Sequence, residues 1–215
     1  MDQTQLAQEP NSGLVYRWQP AQGPTNLNFL MFHGLTGNED VMWVLASALP
    51  EGAFIASPRA PFSLSVEGGY SWVDPAGGDG YQRGDFSPGL EAAHSWLRGM
   101  VSAHQIELER TILVGFSQGS ALAFLLADQL VVPAAGIVSL AAFLPEGEFD
   151  QLRDMPIFWG HGSQDQTITA ESARQDVDRL RQLGAQVQYC EADVGHKVGV
   201  ECMRGLKGWL EQIQH

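Results

Sequence analysis

Ser117 stands between two glycines in Gly115-Phe116-Ser117-Gln118-Gly119, with an apolar run before it and an apolar helical stretch after it. In that context the pattern predicts a sharp strand-to-helix turn that holds a serine hydroxyl at the carboxyl end of a strand, with glycines where side chains would collide. A serine is a poor nucleophile until a base takes its proton, so a histidine and an orienting carboxylate should follow. Asp165, in Gly160-His161-Gly162-Ser163-Gln164-Asp165, and His196, in Gly195-His196, supply them in the order Ser, Asp, His. Asp193 and Glu191 also lie near His196, but at an awkwardly short sequence distance, so Asp165 is the preferred acid. The attack creates a charged oxygen that needs fixed donors. The Gln118 amide is one; the second should come from His33-Gly34-Leu35-Thr36-Gly37, with Leu35 the choice.

These residues need elements that bring distant loops to one edge. Short apolar runs alternate with helical periodicity, the pattern of an α/β fold with a parallel sheet between helices. Strands are expected at 14–19, 27–32, 53–57, 111–115, 135–140, 156–159 and 186–190, and a helix at 40–49. Ser87-Pro88 starts a helix with Leu90, Ala93, Leu97 and Val101 on one face. The helix after Gly119 is apolar nearly all round and should be the most buried. Residues 1–12 read as a flexible tail and 13–215 as one domain. The glycine-rich stretch 58–86 is expected to wall the site.

The 215 residues carry 12 basic and 25 acidic side chains, a net charge of −13. That field disfavours nucleic acid and anionic membrane surfaces as partners, so no stable membrane association is expected. No short ligand spacing suggests a metal, and His33 and His161 read as histidines that bond loop backbone. Arg59 and Arg83 read as structural ion pairs rather than substrate ligands. Cys190 and Cys202 read as free thiols, and a reducing cytoplasm is the default location.

The ordered set resembles the phospholipase/carboxylesterase family of α/β-hydrolases, which includes bacterial carboxylesterases and acyl-protein thioesterases. The motifs that carry the likeness run nearly end to end: His33-Gly34-Leu35-Thr36-Gly37, Pro58-Arg59-Ala60-Pro61, Gly68-Gly69-Tyr70-Ser71-Trp72, the Ser117 pentapeptide, His161-Gly162 with Asp165, and Gly195-His196. The resemblance implies the triad Ser117, Asp165 and His196, oxyanion donors at Leu35 and Gln118, and no cofactor. It leaves a homodimer open. It places Leu35, Trp72, Phe143 and Leu144 near the nucleophile as candidates to line the substrate pocket, with core packing the alternative for each. Where many relatives follow the acid with a proline-valine-rich run, this chain has Gln166-Thr167-Ile168-Thr169.

The chemistry expected is carboxylester hydrolysis through an acyl-enzyme on small neutral esters. Acyl thioester or lysophospholipid hydrolysis on longer chains is the alternative, and a non-catalytic binding protein of the same fold is the reading from another class. The interval 140–156 is too short for a separate cap domain.

Overall fold

The computed structural model describes residues 4–23, 25–66, 68–77 and 82–213. Its strands are β1 (Gln5–Gln8), β2 (Val15–Gln19), β3 (Asn28–Phe32), β4 (Phe54–Pro58), β5 (Phe62–Ser63), β6 (Tyr70–Ser71), β7 (Thr111–Phe116), β8 (Gly136–Leu140), β9 (Pro156–Gly162) and β10 (Gln186–Ala192). Its α-helices are α1 (Ser87–His104), α2 (Gln118–Asp128), α3 (Ala170–Gln182) and α4 (Val200–Ile213). Eight strands form one sheet in the order β1-β2-β4-β3-β7-β8-β9-β10, parallel from β4 to β10, with β2 and β1 added antiparallel at one edge.

Strand alternation builds two apolar layers. In β3, Leu30 and Phe32 join the layer formed with α1, α2 and α3, while Phe29 and Met31 join the opposite layer with α4. Both faces of the central strands are therefore covered, which is why they read as unbroken apolar runs. All eleven residues of α2 are buried, as its all-round apolar sequence requires.

Four expectations change. Gln5–Gln8, within the segment read as a flexible tail, pairs with β2; this edge strand holds through backbone ladder bonds, and its two apolar residues, Leu6 and Ala7, are too few to give a strand signal, Leu6 being exposed. The expected 40–49 helix is a 3₁₀ segment, Val41–Ala48, whose buried residues Met42, Leu45 and Ala48 recur every third position, the spacing that eclipses on a threefold helix. The 58–86 stretch is not wholly irregular, since β5 and β6 form a small hairpin and Arg83–Phe86 a 3₁₀ turn; its Gly78 and Gly80 lie outside the described residues.

The fourth change concerns the cysteines. Cys190 and Cys202 form a disulfide with their Cα atoms 5.5 Å apart. Alternation along β10 turns Cys190, like Ala192, toward α4, and Cys202 sits on the inner stripe of that helix with Leu206 and Trp209. The arginines behave as expected: Arg59 makes a two-pronged bond to Glu39, and Arg83 pairs with Asp128. Residues 141–155 between β8 and β9 contain no helix or strand. Among the described residues no helix is long and apolar enough to cross a membrane.

Candidate active site

β7 ends at Phe116 and α2 begins at Gln118, so Ser117 alone makes the turn. Its φ of 51° and ψ of −119° lie where side-chain-bearing residues are strained. The glycines at either side are steric requirements. A Cβ on Gly115 would come within 2.3 Å of Ser120 Cα, and one on Gly119 within 2.1 Å of Phe32 O.

The hydroxyl faces a histidine from another loop. Ser117 Oγ lies 3.1 Å from His196 Nε2, and His196 Nδ1 lies 2.8 Å from Asp165 Oδ2. A carboxylate only accepts, so Nδ1 carries the proton and Nε2 is left to accept from the serine. Phe116 packs against the edge of the His196 ring at 5.2 Å between centroids.

The acid is braced by the run that departs from the usual proline-valine pattern. Asp165 Oδ1 accepts from the amides of Thr167 (2.8 Å) and Ile168 (3.0 Å). Burial works to raise this carboxyl, but the bond from His196 and the two amides outweigh it and hold the group below the ordinary carboxylate value. His161 lies behind it, donating Nε2–H to Ile168 O at 2.9 Å, with Asp165 Oδ2 at 3.5 Å.

The loop after β3 forms a tight turn, Gly37 N–H donating to Gly34 O, with Thr36 at φ 68°. β6 fixes its far side through Thr36 N–H to Tyr70 O and Tyr70 N–H to Gly37 O. His33 fixes the near side: its Nε2 accepts from Ala60 N–H at 3.0 Å, so Nδ1 carries the proton and donates to Gly34 O at 2.7 Å. Burial, partly opposed by that bond and by Glu39, lowers His33 to about 4, so the ring is neutral near pH 7. The amides of Leu35 and Gln118 have no acceptor among the described residues.

The model of the phospholipase/carboxylesterase family matches residues 19–214. The chain belongs to that family. It is 29% identical over 143 residues to acyl-protein thioesterase 1 of Debaryomyces hansenii, covering 59% of this chain and 61% of that one, so it spans less than two thirds of that relative. Acyl-protein thioesterase 1 of Neurospora crassa is 23% identical, covering 90% of this chain and 89% of the relative. Among solved structures, a carboxylesterase from Mesorhizobium loti superposes with a TM-score of 0.83 at 17% identity, covering 98% and 99%. The α/β-hydrolase fold and membership of the phospholipase/carboxylesterase family are thereby given.

In this α/β-hydrolase a cavity of about 550 Å³ opens beside these loops, lined by residues 34–37, Val41, Met42, Val44, Leu45, Phe116, Lys197, Val198 and Met203. Of the residues expected to line a pocket, Leu35 does so and is 55% exposed. Trp72 does not. It is fully buried between Phe32 and His33, its indole N–H donating to His33 O at 2.9 Å, so it buttresses the turn from behind. Phe143 and Leu144 line a separate depression with Ile168 and Asp176, because Leu144 N–H is bonded to the Asp176 carboxylate. Val41, Met42, Val44 and Leu45 escaped the sequence reading. Their signal was present in a segment apolar on all sides directly after the glycine turn, with Val44 78% exposed. The buried side chain of Gln118 also accepts from Trp72 N–H at 2.9 Å.

Proposed function

We propose that the chain is a serine carboxylester hydrolase that works through an acyl-enzyme on Ser117. The observation that carries this reading is the continuous chain Ser117 Oγ, His196 Nε2, His196 Nδ1, Asp165 Oδ2. As Ser117 Oγ bonds to the ester carbonyl carbon, its proton passes to His196 Nε2, and Asp165, remaining ionised, stabilises the imidazolium. The carbonyl oxygen becomes an oxyanion that accepts from the Leu35 and Gln118 amides, each donor of this kind being worth roughly 3–4 kcal/mol. Collapse expels the alkoxide, which takes the proton from His196. Water repeats the sequence in reverse and frees the acid and Ser117.

The cavity supports esters with an apolar arm of moderate size, and the net charge of −13 supports neutral ones over anionic lipids. Hydrolysis of longer acyl thioesters is the second reading, favoured by the apolar lining and by the acyl-protein thioesterase relatives. A fluorophosphonate should label wild type at one residue and leave Ser117→Ala unlabelled; labelling of the variant, or wild type inert to both the probe and p-nitrophenyl esters, would sink the proposal. A matched series of esters and thioesters from acetyl to palmitoyl, compared by kcat/KM, separates the two readings. The cytoplasmic default, expected in part because two cysteines make no disulfide framework, loses that part of its support with the Cys190–Cys202 bond.

A further inference from the structure

We propose that the Cys190–Cys202 disulfide is a positioning element for His196, so that the redox state of this pair sets the rate of the reaction; this rests on reading Ser117 and His196 as nucleophile and base. β10 ends at Ala192 and α4 begins at Val200, and the loop between them carries His196. The entry to this loop is tied to the acid loop by Ser163 N–H to Ala192 O (2.8 Å) and Gln164 N–H to Val194 O (3.0 Å). Gly162 lets the two loops close up, since a Cβ there would lie 2.2 Å from Gly195 O.

The exit has no such tie. Lys197 N–H bonds to Gly195 O and Met203 N–H to Gly199 O, and among the described residues no backbone hydrogen bond joins 195–199 to anything outside the loop and the start of α4. β10 is also an edge strand with β9 as its one strand neighbour, held otherwise by side chains of α3 such as Arg174 on Glu191. The disulfide supplies the missing constraint. It spans 12 positions of the chain, joins the end of β10 to the first turn of α4, and has His196 midway between its two cysteines. Closing a loop in this way removes alternative loop geometries. The 3.1 Å approach of His196 to Ser117 depends on that geometry, and misplacement of a catalytic group by about 1 Å can cost roughly 100-fold in rate.

Reduction needs two thiol equivalents, which a dithiol supplies. Cys190 is half-buried and Cys202 fully buried, so a thiolate reaches the Cys190 sulfur first. The S–S bond breaks as a mixed disulfide forms, Cys202 leaves as a thiolate and is protonated, and the reagent's second thiol releases Cys190 and closes the reagent's own disulfide. Two electrons pass to the cysteine pair. Leu206, Trp209 and Leu210 keep α4 packed throughout, so the predicted loss is in rate, not in folding.

The test uses the full chain purified in air. Denatured without reductant it should show no free thiol, and after dithiothreitol two. Reduction should lower kcat for p-nitrophenyl butyrate by about tenfold or more with KM unchanged, and oxidised glutathione should restore it. The double variant Cys190→Ser/Cys202→Ser should sit at the reduced rate and ignore both reagents. Two free thiols in the air-purified protein, equal kcat in both states, or a loss that tracks unfolding by circular dichroism would overturn the proposal. Fluorophosphonate labelling gives an independent readout. Oxidised protein that labels faster than reduced protein while inert to every ester supports the positioning role and counts against the esterase reading alone; equal labelling rates count against the positioning role.

Discussion

The side chain of Gln118, the residue after Ser117, accepts a 2.9 Å hydrogen bond from the backbone N–H of Trp72, both groups being buried. The Trp72 indole in turn bonds to His33 O. The serine turn and the glycine turn are thus clamped to one buttress. Gln118→Ala keeps the backbone donor but strands a buried N–H, which should destabilise the fold by about 1–3 kcal/mol. Urea unfolding of variant and wild type measures this, and fluorophosphonate labelling should be slowed but retained.

Asp165→Asn removes the acceptor that keeps the proton on His196 Nδ1. The ring is then free to take the wrong tautomer, and kcat should fall by roughly 10³–10⁴ with KM little changed. Steady-state kinetics on a short p-nitrophenyl ester checks the split.

The 3₁₀ segment should set chain length. Val44→Trp projects bulk from an exposed position at the cavity wall, and kcat/KM for octanoate should drop by about tenfold or more while acetate is spared. Phe143→Ala, in the other depression, should leave the ratio of the two substrates unchanged.

His33 gives stability a pH signature. Its folded value, about 4, lies below the ordinary 6.5, so the unfolded chain binds the proton first as pH falls. Its contribution is complete above pH 6.5 and is lost progressively down to about pH 4, amounting to about 3 kcal/mol. Denaturant melts across this range should show that slope, flattened by about one proton in His33→Asn.

Much of the architecture was readable because the central strands are covered on both faces and must be apolar. The serine turn was equally readable, since backbone at 2.1 Å leaves Gly119 no substitute. What escaped has a common cause. β1 is held by ladder bonds that backbone of any sequence makes, Trp72 is a large aromatic whose direction no spacing reveals, and the Cys190–Cys202 pairing follows from strand alternation meeting a helix stripe. The Asp165 loop departed from the familiar pattern in sequence, yet its backbone amides hold the carboxylate regardless of the side chains that follow.

The turn that carries Leu35 leads through Asn38, Glu39 and Asp40 into Val41, Met42, Val44 and Leu45, so one stretch of chain holds both the proposed oxyanion donor and the wall of the cavity. In the proposed mechanism, a substrate arm that fills the cavity bears on the piece of backbone whose amide meets the developing charge. Recognition of the arm and stabilisation of the transition state are therefore mechanically joined, and the length of a good substrate should be felt in turnover as well as in affinity.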